Sequence, residues 1–325
     1  MKFSPKPLTT AEVKASIAQE RKIAIDVKNK LNSKNAFSDL NIGSIKINSD
    51  FTITADRPIT SKDDMKKILE RITKEAGGLN KSADLAKLWI QNTIVRQDPI
   101  YNNEGKQIKG PIPHIAEIDG VKFEIANNSS NTAEMMATTN GKIWQNTTLS
   151  LKKIGATSIT INETNYGGNG SHGHGCAFDI DGITVNGKPI SATSIEGTVP
   201  YPKEMKAFDN AFSSLPGTYK VWTPWTMYSG SGLQYPNRTI EWANSSNPAL
   251  AAETTRLMKL CAAERRSMTE AEGKAFIQFA SDLGIKIEPR EGKFSIADEF
   301  NHRHHNHYDV NLAYETSDAT TWSEK

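Results

Sequence analysis

Ser171-His172-Gly173-His174-Gly175-Cys176-Ala177-Phe178-Asp179-Ile180 is the stretch from which the rest of the chain can be organised. Glycine reaches backbone angles closed to other residues, so Gly173 and Gly175 allow a tight turn. Gly175 and Ala177 are small and leave space beside it. Just upstream, Gly167-Gly168-Asn169-Gly170 is a loop, and before it Thr157-Ser158-Ile159-Thr160-Ile161 is β-branched and predicts a strand. Asp179-Ile180 opens a second strand, which would hold the carboxylate rigidly. A strand, a glycine-rich turn and a strand thus carry a histidine and an aspartate seven residues apart.

Working outward, residues 141–154 predict a helix with Trp144, Leu149 and Leu151, ended by Gly155. Ile115 to Ala126 alternates around Asp119-Gly120, a hairpin signature. Residues 98–113 hold three prolines and the turn Asn102-Asn103-Glu104-Gly105, which marks a boundary or an exposed hairpin. The first hundred residues read mainly as helices. Ser61 and Asp64 form a capping box ahead of Met65, Ile68, Leu69, Ile72 and Ala76, with Gly77-Gly78 as the stop. A second amphipathic stretch starts near Ser82, with Leu85, Leu88 and Trp89 on one face. Downstream of Asp179 come short strand-like pieces and an aromatic loop from Tyr219 to Tyr235. Helices follow from Pro248 to Glu264 and from the capping box Thr269–Glu272 to Gly284. His307 to Leu312 alternates with period two, so His307 and Asp309 share one face of a strand. The expected architecture is α+β, a small antiparallel sheet with flanking helices. A helical N-terminal region (1–110), for docking, targeting or extension, precedes a catalytic domain (111–325).

Bulk composition narrows the classes. A chain of 325 residues with 37% hydrophobic and 23% charged residues can bury a sizeable core. A net charge of +2 is far from the positive bias of a dedicated nucleic-acid binder. No run of apolar residues is long enough to span a bilayer. The start, MKFSPKPLTTAEVKASIAQERK, has no apolar core of a secretory signal. The expectation is synthesis in the cytoplasm. Action at the cell wall or periplasm would then follow lysis, injection or secretion. Cys176 and Cys261 are too few for a disulfide framework and unsuited to a cysteine zinc site.

Histidine distribution carries the chemistry. Six of the seven histidines fall within 172–174 and 302–307, and only His114 lies elsewhere. Zn²⁺ accepts imidazole nitrogen and carboxylate oxygen, and a catalytic site uses three protein ligands with a fourth position open. The glycine-rich turn lets His172 and Asp179 converge on one ion, and the second window offers the third ligand. A solvated or adventitious metal-binding tract is the other reading of that window.

His172-x-x-Gly175-x-Ala177-x-Asp179, followed far downstream by His305-x-His307, resembles the pattern of zinc peptidoglycan peptidases of the D-alanyl-D-alanine carboxypeptidase type. This group includes endopeptidases and phage endolysins that share a hedgehog-like fold. The closest local match is its extensin-like branch, which reads like His-Gly-x-Gly-x-Ala-x-Asp-Ile and His-Arg-Asp-His-Phe-His-Leu-Asp. The resemblance spans roughly residues 113–315. It implies one zinc ion on His172, Asp179 and His307, with His305 placed to stabilise the tetrahedral intermediate or move a proton. It also implies a peptide bond of peptidoglycan stem peptides or cross-bridges as substrate, no nucleic acid, and a delivery machinery or immunity protein as a possible partner. One departure stands out. The family often has a carboxylate three residues before the last zinc histidine, as general base, and this chain has His304. Either His304 serves as base, or Glu299 or Asp298 reaches in, or activity is weakened. Arg303 and Arg238 are the candidates for the arginine that faces the substrate.

Other residues have two readings each. His174 is a loop side chain or a substrate contact; Asp309 orients a metal-bound histidine or faces solvent. Cys176 is a small packing residue. Trp222, Trp225, Tyr228 and Tyr235 wall a cleft or fill core. Lys259, Arg265 and Arg266 read as a solvated helix face. Two non-enzymatic classes stay open, a metal-containing cell-wall binding module and a virion structural component.

Overall fold

The computed structural model describes residues 9–32, 36–97, 100–109, 112–125, 132–164, 170–192, 200–229, 233–264, 268–288, 295–303 and 305–313. The chain begins with helix α1 (Thr10–Asn32), the hairpin β1 (Ile45–Ile47) and β2 (Ile53–Ala55), and helices α2 (Lys62–Glu75) and α3 (Ala83–Thr93). Strand β3 (Val95–Gln97), the small hairpin β4 (Ile100–Tyr101) and β5 (Gln107–Lys109), and the hairpin β6 (Ile112–Ile118) and β7 (Val121–Ile125) follow. Next come helices α4 (Thr132–Thr138) and α5 (Gly141–Lys153), strands β8 (Ala156–Glu163), β9 (Ala177–Val185) and β10 (Lys188–Ser191), and helix α6 (Lys203–Ser213). A meander of β11 (Thr218–Trp222), β12 (Thr226–Ser229) and β13 (Leu233–Pro236) leads into helices α7 (Thr239–Ala243), α8 (Pro248–Glu264), α9 (Glu270–Asp282) and α10 (Ile296–Asn301). Strand β14 (Asn306–Val310) closes the described fold.

Local chemistry explains the best-marked elements. Asp119 and Gly120 both have positive φ, 49° and 82°, as the two-residue turn joining β6 to β7 requires. The Ser61 hydroxyl accepts the Asp64 N–H at 3.0 Å and starts α2. At α9 both halves of the capping box form between Thr269 and Glu272. The turn at 102–105 closes the β4–β5 hairpin, with the Gly105 N–H donating to the Asn102 carbonyl at 2.9 Å.

The fold is mixed α/β, and its sheet corrects the sequence reading. Instead of a small antiparallel sheet, ten strands run in the order β13-β12-β11-β14-β9-β8-β7-β6-β3, with β10 paired to β9. The β7–β8 pair is parallel. Two segments widen it: β3, in a stretch read as helical, and 218–236, read as a loop. The latter is a three-stranded meander in which Trp222 and Tyr235 face one side and Tyr228 packs into the main core on the other. Helix α6 was also unexpected; Met205, Phe208 and Phe212, all fully buried, recur at helical spacing.

Packing does not stop at residue 110. One cluster of buried residues joins Val13, Ala24 and Trp89 to Trp144, Phe178, Tyr308 and Val310. Helices of the N-terminal region therefore share their core with the sheet. Polar ties cross the same seam: Lys142 Nζ lies 2.9 Å from Glu20 Oε1, and Lys87 Nζ donates to the Thr139 carbonyl at 2.8 Å. A second cluster, with Trp242, Leu257, Phe276 and Phe300, belongs to helices α7–α10, which are inserted between β13 and β14.

Behind β14, on the face of Tyr308, a buried carboxylate completes the core. Asp209 of α6 accepts hydrogen bonds from Tyr308 at 2.5 Å and from Tyr201. Burial raises its pKa to about 7, against the hydrogen bonds from Tyr201 and Tyr308. The folded state thus holds this proton more tightly than the unfolded chain does, and stability falls as pH rises from 3.8 to about 7. Asp209→Asn should flatten the pH dependence over that window, measured as the urea midpoint at pH values across it. A variant whose midpoint tracks the wild type would contradict the buried-acid account.

Candidate metal centre

Strand order and register build the site. Strand β14 lies between β9 and β11, and its His307 is paired directly with Asp179 on one side and Trp222 on the other. Side chains of directly opposed residues share a face and stand about 5 Å apart at Cβ. The turn 170–176 then carries His172 over this row. Its N–H bonds run from His174 to Gly170, Gly175 to His172 and Cys176 to Ser171. Gly175 has φ +65°, and a Cβ there would sit 3.1 Å from the Thr138 carbonyl oxygen. Its own carbonyl accepts the Asn140 N–H at 2.8 Å. Asn140 also caps α5 through its side chain, at 2.8 Å from the Lys142 nitrogen, so the turn is anchored to the start of the central helix.

Three ligand-type atoms converge as a result. His307 Nδ1 is 2.9 Å from Asp179 Oδ1 and 3.1 Å from His172 Nε2, and His172 Nε2 is 3.4 Å from Asp179 Oδ1. All three residues are buried, and this set could hold a metal ion. The far nitrogen of His172 is held by a hydrogen bond, and that of His307 faces a carboxylate. His172 Nδ1 lies 2.7 Å from the Thr164 carbonyl oxygen, and His307 Nε2 lies 3.5 Å from Asp309 Oδ2. An acceptor at the outer nitrogen directs the inner one to the centre, the usual second partner of a metal-ligating imidazole.

Electrostatics follow from this crowding. Burial opposes charge on Asp179, yet His305, His172 and His307 around it hold its carboxyl well below the usual range. For His307 burial favours the neutral ring, but Asp179 and Asp309 outweigh that and raise its pKa to about 9. Burial lowers His305 and, more strongly, His302, so both rings favour the neutral form.

The remaining sequence candidates divide. His305 stands at the site, its Nε2 3.7 Å from Asp179 Oδ2. Asp309, fully buried, takes the orienting position rather than a surface one. His174 is half-buried in the turn and outside the set of three. Cys176 is fully buried, as a packing residue should be. Glu299 is corrected as a candidate base: it is fully buried and gripped by Arg238, with Nη2 to Oε2 at 2.7 Å. Asp298 caps α10, its carboxylate accepting the Ser295 N–H at 2.7 Å. Arg303 is buried and donates to the Pro224 carbonyl, and Arg238 is committed to Glu299 and the Glu288 carbonyl. Both guanidinium groups are thus engaged within the fold. His304, Arg265, Arg266 and the loop 165–169 lie outside the described residues.

Three more residues flank the set; the sequence gives Trp222 two readings and assigns no role to His302 or Glu163. Trp222 lies beside His307 and His302, ring centroids 5.9 and 4.9 Å away, and joins Met227 and Tyr235 in a small apolar cluster on the site's face. Trp225 and Tyr228 instead turn inward; Trp225 stacks on Tyr201 at 4.8 Å. His302 packs 4.9 Å from His305. Glu163, at the end of β8, is paired across the strands with Asp179. Partial burial and then Asp179 raise its pKa, and His172 offsets part of the rise.

No family model, curated protein or solved structure matches this chain. No helix among the described residues is long and apolar enough to cross a membrane.

His307→Ala should remove the bound metal, read by elemental analysis of purified protein. His305→Ala should keep it. Asp309→Asn should weaken metal affinity by about 10–100-fold in competition with a chromophoric chelator. Full metal content in His307→Ala would exclude the assigned ligand set.

Proposed function

We propose that this chain is a zinc-dependent peptidase that hydrolyses a peptide bond in peptidoglycan stem peptides or cross-bridges. The observation that carries the reading is the convergence of the His172–Asp179 turn with the His305–His307 strand on two imidazole nitrogens and one carboxylate oxygen. Bonds of about 2.0–2.1 Å to a tetrahedral ion imply ligand–ligand separations of roughly 3.3 Å. The separations of 2.9, 3.1 and 3.4 Å fit that size. A donor set of two nitrogens and one oxygen suits zinc, and three protein ligands leave one position for water or substrate.

A zinc ion in this set supplies Lewis acidity, polarising a carbonyl and lowering the pKa of a nearby water to about 7. The protein does the rest. Asp309 and the Thr164 carbonyl fix the two ring orientations. His305, kept neutral by burial, can exchange a hydrogen bond or proton with the reacting carbonyl at neutral pH. Trp222, Met227 and Tyr235 form an apolar wall on one flank, suited to the small side chains of a stem peptide. Such a substrate lies outside the cytoplasm, consistent with a phage lysin or a delivered antibacterial effector. The histidine at position 304, where the family that the motifs resemble often has a carboxylate, favours the alternative of a metal-holding cell-wall binder without turnover.

Incubation with purified peptidoglycan, followed by mass analysis of the soluble fragments, should release peptides cut at one bond type. A chelator should stop release, and added zinc should restore it. Binding to peptidoglycan with no released fragment would favour the non-catalytic reading.

A further inference from the structure

We propose that Glu163 is the proton acceptor of this site, an inference that rests on the peptidase reading above. The carboxylates that the C-terminal window offered are engaged elsewhere. Asp298 caps α10, Glu299 is held by Arg238, and Asp309 is fully buried between His307 and Lys220. Glu163 comes from the opposite direction, on β8.

Its position is the product of an irregular strand pair. Ile159 and Ile161 are fully buried, and period two would send Glu163 to the same core face. The register slips between Ile161, opposite Ile180, and Glu163, opposite Asp179. Two residues of β8 thus advance against one of β9, which is a β-bulge, a device that re-aims side chains and recurs beside active sites. The slip turns Glu163 onto the face of Asp179. Across four strands the row then reads Glu163, Asp179, His307 and Trp222. The ligand pair is flanked by a carboxylate on one side and an indole on the other. Glu163 keeps part of its surface in solvent, so it can exchange its proton, whereas the three ligands are buried.

In the hydrolysis, a water O–H bond breaks and its proton passes to a Glu163 oxygen as the water oxygen attacks the scissile carbonyl carbon. That proton then moves to the amide nitrogen as the C–N bond breaks, leaving a carboxylic acid and an amine. His305 is left to stabilise the oxygen of the tetrahedral intermediate.

Acetohydroxamic acid tests this without a peptide substrate, because it binds a metal centre as its anion and must give its proton to some acceptor. Calorimetric titration of the zinc-loaded full chain, in two buffers of different ionisation enthalpy at neutral pH, counts the protons released. The wild type should retain the proton. Glu163→Gln should release one proton to buffer and bind at least about tenfold more weakly, the loss expected of a charge-assisted hydrogen bond. Its zinc affinity should stay unchanged, which a merely structural role would not require. Glu163→Asp should recover part of the retention. Equal proton counts and affinities in wild type and Glu163→Gln overturn the proposal, as does a zinc-loaded wild type that binds no hydroxamate. A wild type that takes up no zinc instead fails the metal reading itself. Proton retention without any cut in peptidoglycan would sink only the substrate.

Discussion

The pairing of His307 with Asp179 is the constraint on which the site depends. It joins residues 128 positions apart, 2.9 Å between Nδ1 and Oδ1, on neighbouring central strands. A buried carboxylate beside a buried imidazole is stable only if each compensates the other. Removing one member of such a pair typically costs about 3–5 kcal/mol because the other is left desolvated and alone. His172, His305 and Asp309 surround the pair and settle its charge. A divalent cation would replace the shared proton of the pair as the positive partner. The same arrangement is therefore self-consistent with or without an ion.

Much of the site was readable in the chain because its chemistry is concentrated in short windows. His172 and Asp179 are tied by a glycine turn, and His307 and Asp309 by a two-residue strand repeat. What failed was anything set by long-range register. Glu163 sits where alternation with Ile159 and Ile161 predicts a core side chain, and only the slip against β9 exposes it. Glu299 looked available because Asp298, Glu299 and the histidines are close in sequence. Its partner Arg238 is 61 residues away, and nothing local announces that pair.

The fold shows the same division. Helices with a clear apolar stripe and a cap, such as α2, α8 and α9, were legible, and so was the Asp119-Gly120 hairpin. Sheet width was not. Strand β14 is buried at every position, with no alternation of exposure, because β9 and β11 flank it and core or site covers both faces. The meander at 218–236 was misread because aromatic residues interleaved with Ser, Pro and Gly carry a weak strand signal. Its two faces serve different purposes, Trp222 toward the cluster of His172, Asp179 and His307 and Tyr228 toward the main core.

The insertion of helices α7–α10 between β13 and β14 governs how the molecule assembles. Strand β14 is a keystone: until it enters, β11 and β9 have no common neighbour, and the sheet exists as two fragments. It can enter only after the intervening segment of about seventy residues has been spooled out, with helices α7–α10 packed around Trp242 and Phe300. Contacts of such sequence separation form late and slowly. A chain emerging from the ribosome therefore carries His172 and Asp179 for much of its synthesis without His307, and the cluster of three is latched open until the last strand docks.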